Sequence, residues 1–204
     1  MSFMLEEIMW NSEFINLSHE ITGFSYPGDP KFEIIQKNVD KYLISKLTLG
    51  SHTSTHVDYP LHVGLENKKF KNIIGNGFCI NIKDLDSFFK SNEKNNELKL
   101  PKIEVLLINT GFSKHWNTFE YFEMEVSIEK FVQKIIEMEL IALGVDCASI
   151  GNFETHKNLL SSNIKIIENL NHLEVLENKF FKFLGFPLNV ENIDGSPMNA
   201  VALI

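Results

Sequence analysis

The sequence predicts an α/β fold, richer in strand than a doubly wound sheet requires. Three observations carry that expectation. Short apolar and β-branched runs bounded by Gly and Pro recur along the chain, as strands do. Only two stretches show a helical period. The chain has 204 residues, 44% of them hydrophobic and including 17 Phe, enough for a buried core. No internal repeat or low-complexity linker divides it, so residues 1–204 are read as a single domain.

"FINLS" (14–18) is the first strand candidate. "GFSYPGDPK" (23–31) has two prolines and two glycines and requires an ordered turn. "FEIIQ" (32–36) and "YLISKLTLG" (42–50) partly alternate and read as strands. "GFCINI" (77–82), "IEVLLINT" (103–110) and "LIALGVD" (140–146) are apolar runs that suit buried strands. Between them, "KSNEKNNELKLPK" (90–102) is polar and Asn-rich and reads as a surface loop. A helix fits 127–140, where Phe131, Ile135 and Ile136 share a face, and a second runs from about Phe153 to Ser161. "IKIIE" (164–168) is a short strand ending in a carboxylate, and "FFKFLGFPL" (180–188) and "MNAVALI" (198–204) are late strands.

Composition narrows the function classes. The formal net charge is -8 and the lysines form no basic tract, which argues against a nucleic-acid partner. No apolar stretch approaches the ~20 residues needed to cross a bilayer, so no membrane partner is expected. The N-terminal "MSFMLEEIMWNSEF" places Glu6 and Glu7 where a signal peptide needs positive charge. Cys79 and Cys147 lack CxxC spacing and are read as reduced core residues, with the cytoplasm as the expected location.

One segment stands apart. "GSHTSTHVDYPLHV" (50–63) gathers His52, His56, Asp58 and His62. Imidazole and carboxylate together are the usual donors for zinc and similar ions; the alternative is a polar loop with a chance cluster. Thr, Ser, Val and Pro60 favour extended or turning backbone over helix. In a strand His56 and Asp58 point to the same side, roughly 6–7 Å apart. His52 joins them through a bend at Thr53 and Ser54, and His62, past the proline, sits on the rim. The segment lacks the metalloprotease pattern, since Thr53 follows the first histidine, and the chain has no GxSxG elbow. Further candidate ligands lie in 144–173: Asp146, Glu154, His156, Glu168 and His172. A helix and a returning strand can bring His156 and Glu168 together.

Residues 52–62 read H-T-S-T-H-V-D-Y-P-L-H, which resembles the H-x-G-T-H-x-D-x-P-x-H hallmark of the cyclase family that includes bacterial kynurenine formamidase. The resemblance continues through "YPGDP" (26–30), "LLINTGFSKHW" (106–116), "GVDCASI" (144–150), "HKNLLSSNIKIIENLNHL" (156–173) and "GSPMNAVALI" (195–204). It covers nearly the whole chain, in order.

The resemblance implies a mixed or barrel-like sheet flanked by helices, the swivelling β/β/α type. It implies that His52, His56 and Asp58 bind one divalent ion, and that Asp58 bridges to a second held with His156 and Glu168. Zinc is the first expectation and manganese the second. His62 becomes the general acid/base. The implied activity is hydrolysis of a C–N bond in a small aromatic amide such as N-formylkynurenine, through a metal-activated hydroxide. A ring-opening hydrolase of a cyclic amide such as isatin, and a non-catalytic metal- or ligand-binding protein, remain as alternatives. A homodimer or homotetramer is expected by the same resemblance.

Other residues stay open at this level. Glu154 competes with Glu168 as a ligand, and the resemblance favours Glu168. Phe24, Tyr26 and Trp116 either line an aromatic pocket or pack the core. Asp146 and Ser149 either orient ligands or form a turn, and Asp29 either approaches the pocket or caps one. His19, His115 and His172 are read as structural or surface residues. Two positions depart from the family pattern. Ser54 replaces a glycine, at a cost in strain if that position has positive φ. Asn199 replaces an expected arginine, which bears on the kynurenine substrate.

Overall fold

The pairing of ten strands explains how residues far apart in sequence reach one place. The structure, a computed structural model, describes residues 13–67, 72–92, 101–124 and 126–204. Residues 1–12 of the N-terminal stretch and 93–100 of the expected surface loop lie outside the described residues.

The strands are β1 (Phe14–Asn16), β2 (Glu33–Val39), β3 (Tyr42–Thr48), β4 (His56–Asp58), β5 (Ile73–Asn81), β6 (Val105–Asn109), β7 (Ala142–Val145), β8 (Lys165–Glu168), β9 (Phe180–Pro187) and β10 (Gly195–Leu203). Among the described residues the helices are α1 (Leu85–Asn92), α2 (Val132–Glu137) and α3 (Phe153–Ser161). β5, β6, β7 and β8 run parallel to one another. Antiparallel pairs then join β8 to β4, β4 to β10, β10 to β9, and β9 back to β5. The result is a closed, mixed ring of seven strands, with β1 added along β10.

Alternation along these strands separates two apolar layers. Val57, Cys79, Val105, Leu107, Ala142, Ile167, Phe183 and Ala200 face a common interior cluster to which every strand of the ring contributes. Their neighbours Ile80, Leu106, Ile108, Leu143 and Ile166 face the other way, against Leu85, Phe89, Val132, Ile135 and Leu159 of the three helices. The ring is tight where glycine faces it. A Cβ on Gly144 would lie 2.5 Å from Leu107 and 2.7 Å from Leu170.

Several boundaries differ from expectation for physical reasons. The helix expected over 127–140 reduces to a 3-10 turn at Glu129–Phe131 and α2. Glu139 takes a φ of 52° and turns the chain directly into β7. α1 was not foreseen, because its apolar signal is only Leu85, Phe88 and Phe89 over little more than one turn. β5 begins at Ile73 rather than 77. Its Gly75 and Gly77 look like strand breakers, yet the Phe181 ring takes the space a side chain at Gly77 would fill.

β2 and β3 form a hairpin apart from the ring, in register from Glu33↔Thr48 to Val39↔Tyr42. Every residue of both strands is exposed. Among the described residues, no helix is long and apolar enough to cross a membrane.

Candidate metal centre

β4 lies between β8 and β10, and this placement builds the site. Val57 points into the ring, so His56 and Asp58 point out of it. His56 pairs directly with Glu168, the last residue of β8, which therefore shares its face. The chain enters β8 from α3. Asn152 caps α3 by accepting a hydrogen bond from the Thr155 N–H at 3.0 Å. His156 lies in the first turn of α3 and reaches back over the strand end, with Nε2 3.2 Å from Glu168 Oε1 and 3.6 Å from Asp58 Oδ2. His52 comes from the bend before β4, with Nδ1 2.9 Å from Asp58 Oδ1.

Among the described residues three groups result, His52–His56–Asp58, Asp58–His156–Glu168 and the more exposed His52–His62–Asp194, each with donor atoms within 4.8 Å of one another. Asp58 belongs to the first two. Glu154 is exposed on α3 and belongs to none of them, whereas Glu168 belongs to the second. His56 Nε2 and both Asp58 oxygens are buried without a well-aligned hydrogen bond. Buried polar atoms in that state are costly unless a further group satisfies them. Three imidazoles and two carboxylates are a donor set for a borderline divalent cation, so the residues present fit one. The unused ring atoms are already fixed: His56 Nδ1 lies 2.8 Å from the Ser54 carbonyl and His156 Nδ1 3.1 Å from that of Asn152. Each leaves Nε2 toward the carboxylates.

The charge balance shows the same demand. Burial opposes a charged His56, yet Asp58 and Glu168 outweigh it and push its pKa up to about 10. Burial likewise opposes charge on His156, and Glu168 and Asp58 lift it to about 9. His52 is raised against burial by Asp58. Burial alone would raise Asp58, but the flanking imidazoles hold it well below the carboxylate range. Glu168 is lowered by His156 and His56, against burial and the charge of Asp58. Protons thus sit where a cation would place its charge.

Ser54 has a φ of 59°, the conformation the family's glycine would adopt freely. Its hydroxyl donates to the carbonyls of His19 and Glu20, at 3.1 and 3.3 Å. Asn199 is exposed on β10, opposite Phe186, and does not line the pocket.

A cavity of about 330 Å³ opens over the cluster. His62, on the 3-10 turn Pro60–Val63, stands at its rim with its side chain 37% exposed, its ring centroid 4.4 Å from that of His52. Phe24, Tyr26, Trp116, Phe122 and Phe153 form an aromatic wall. His19 stacks on Trp116 at 4.1 Å, a structural role as expected. Asp29 and Ser149 line the cavity. Asp146 touches no candidate ligand. It accepts hydrogen bonds from the N–H groups of Thr110 and Gly111 and from the Thr110 hydroxyl, and so anchors the loop that leads to Trp116. His172 is exposed and His115 half-buried, both away from the cavity lining. Cys79 and Cys147 are buried free thiols.

Two residues of the site were not foreseen. Asn169 follows Glu168 at a φ of 58° and donates to the Ser54 carbonyl at 2.9 Å, which ties β8 to the histidine bend. Asp194, just before β10, places Oδ2 3.1 Å from His52 Nε2. A single Asp before Gly reads in sequence as a turn residue, and only the β10–β4 pairing brings it to the histidines.

The model of the Cyclase family matches residues 15–152 of the chain. An uncharacterized protein of Methanocaldococcus jannaschii is 46% identical over 196 residues, covering 94% of this chain and 100% of that one. A kynurenine formamidase of Bacillus cereus is 28% identical over 210 residues, covering 95% of this chain and 98% of that one. Among solved structures, an isatin hydrolase bound to the product analogue thioisatinate superposes with a TM-score of 0.80 at 17% identity, covering 100% of this chain and 96% of that chain. At that identity the likeness is one of fold.

Proposed function

The chain belongs to the Cyclase family, and on that premise we propose that it is a metal-dependent amidohydrolase cleaving the C–N bond of a small aromatic amide. One observation carries the reading: Asp58, with both oxygens buried and lacking aligned partners, shared by two histidine–carboxylate groups under an aromatic cavity. Divalent ions held by His52, His56 and Asp58, and by Asp58, His156 and Glu168, would supply an activated water and polarise the amide carbonyl. Zinc suits this donor set first and manganese second.

The chain's own groups do the rest. Phe24, Tyr26 and Trp116 take the aromatic part of the substrate and shed water from the cluster. His62 stands on the open side and passes a proton to the leaving nitrogen. N-formylkynurenine, the substrate of the formamidase relatives by name, is the first candidate. Isatin, a cyclic aromatic amide, is the second. The cavity lining includes no Lys or Arg among the described residues to pair with kynurenine's carboxylate, which is the observation that keeps the neutral ring as the second candidate.

We further propose that the chain self-associates through the β2–β3 hairpin. Ile34, Leu43 and Leu47 on one face and Ile35, Val39, Tyr42 and Ile44 on the other are 40–75% exposed. A lone two-stranded hairpin is marginal in water. The three or four such side chains of either face offer on the order of a few hundred Å², a part of the roughly 800 Å² each partner gives to a standard interface. The hairpin carries Lys37, Lys41 and Lys46 against Glu33 and Asp40, on a chain of net charge -8, so a second copy is the complementary surface. Light scattering of the chain and of a Leu43→Lys, Leu47→Lys variant tests this; a monomeric parent chain overturns it.

The test of the function is metal content by elemental analysis, followed by hydrolysis assays with N-formylkynurenine and isatin. Near two divalent ions per chain with turnover of either amide supports the reading. A chain that takes up no ion after loading with zinc or manganese overturns it.

A further inference from the structure

Three histidines in the cluster need one ring nitrogen held so that the other is free to bind. For His56 and His156 a backbone carbonyl does this. For His52 the partner is an ionisable side chain from another element. Asp194 Oδ2 lies 3.1 Å from His52 Nε2, and the opposite ring atom, Nδ1, faces Asp58 at 2.9 Å. The same Asp194 oxygen lies 3.9 Å from His62 Nδ1. Among the described residues it is thus the carboxylate near both a candidate ligand and the candidate proton donor, outside the two groups that share Asp58 and forming with His52 and His62 the third.

The backbone is built to keep it there. The Asp194 carbonyl accepts the Tyr59 N–H at 2.9 Å, and the Tyr59 carbonyl accepts the His62 N–H at 2.9 Å. Tyr59 therefore fixes Asp194 and the turn of His62 from its two sides. The next residue is Gly195, where a Cβ would lie 2.6 Å from His52 Cε1 and 3.0 Å from Nε2. Only a residue without a side chain lets the β10 backbone pass so close to the imidazole.

We propose that Asp194 is a positioning residue shared by two imidazoles: it fixes His52 with Nδ1 directed to the ion, and it draws His62 Nδ1, now 3.9 Å away and beyond hydrogen-bond reach, toward itself so that Nε2 turns to the substrate. Metal retention and proton delivery then depend on one carboxylate. The inference rests on the metal-dependent reading above and gives Asp194, which also completes a donor group with His52 and His62, the part of a positioning residue.

The test needs no substrate. Zinc affinity is measured by competition with a chromogenic chelator for the parent chain, Asp194→Asn and Asp194→Ala, and the tautomers of His52 and His62 are read from long-range ¹H–¹⁵N spectra of the zinc-loaded proteins. Asp194→Ala is expected to weaken zinc binding about 10–100-fold and to release His62 from its Nδ1–H tautomer. Asp194→Asn, whose amide oxygen still accepts from His52, is expected to fall between. Thermal midpoints of the metal-free proteins are expected to agree. Unchanged zinc affinity, an unchanged His62 tautomer, or a loss matched by a fall in the metal-free midpoint each overturns the shared role. A parent chain that binds no zinc overturns the metal reading with it; a parent that binds zinc beside indifferent variants overturns this inference alone.

Discussion

His56 and Glu168 stand directly opposite each other across the antiparallel pair of β4 and β8, with Nε2 and Oε2 3.6 Å apart. The register makes them neighbours although 112 positions separate them in sequence. Glu168 also meets His156 at 3.2 Å and accepts the Ile150 N–H at 2.9 Å. It therefore joins β4, α3 and the loop before α3. Glu168→Gln keeps the size and one acceptor but removes the charge. The expected outcome is the loss of about one ion per chain by elemental analysis, with the His52–His56–Asp58 group still filled.

The close approach of Gly195 to His52 gives a second expectation. Gly195→Ala puts a methyl group 2.6 Å from Cε1, and the ring must move. Overpacking of this kind costs about 1–3 kcal/mol. Zinc affinity is expected to fall at least about tenfold, because a shifted His52 loses Asp58 and Asp194 together. Affinity equal to that of the parent chain would show that the backbone yields instead of the ring.

Much of this was legible in sequence because the chemistry is local. His52, His56 and Asp58 share one bend and strand, so their spacing alone sets their side. His156 and Glu168 needed a helix followed by a returning strand, which the apolar pattern allowed, and it was the family resemblance that chose Glu168 over Glu154. The barrel-like closure was legible only through the family resemblance and not in the strand pattern, because it depends on β10 pairing β9 and β4 at different points along its length. Asp194 and Asn169 were missed for the same reason: each acts on a residue more than 100 positions away. The α2 boundary failed because "SIEKFVQKIIEMEL" keeps a helical period while Val126 and Ile128 are drawn into the core.

Ser54 separates strain from tethering. It holds a φ of 59°, which costs a non-glycine residue roughly 1 kcal/mol, while its hydroxyl bonds the carbonyls of His19 and Glu20. Ser54→Ala keeps the strain and loses both bonds, so a loss of about 1–2 kcal/mol is expected in urea unfolding. Ser54→Gly loses the bonds but relieves the strain and is expected to stay nearer the parent. Ala more stable than Gly at this position would contradict that account.

The pH response of the metal-free protein follows from the raised histidines. His56 at about 10 and His156 at about 9 both exceed their unfolded value of 6.5. Their contribution is full below 6.5 and is lost as pH rises through 9 and 10. Asp58 and Glu168 are lowered, so their contribution is present above ordinary carboxylate values and is lost in acid. The thermal midpoint in EDTA is expected to fall between pH 6.5 and 9. Zinc binding needs neutral imidazoles, so the gap between zinc-loaded and metal-free midpoints should widen over the same range. A metal-free midpoint that climbs with pH would mean that the carboxylates do not hold these protons.

His62 separates an enzyme from a binding protein on the same scaffold. It lines the cavity but belongs to neither ligand group containing Asp58, and its side chain is 37% exposed. Removing it therefore leaves the five ligands in place and opens no buried hole. His62→Ala is expected to keep the parent's zinc content and its thermal midpoint within a degree or two. Turnover of the amide should fall about 10²–10⁴-fold, the range that a positioned acid or base contributes. The loss should appear in kcat with KM little changed, since the aromatic wall that binds the ring is untouched. His62→Gln, which can hydrogen-bond but cannot carry the proton, should be as inactive as Ala. If either variant turns over amide at the parent's rate, proton transfer runs through another group and His62 is only part of the rim.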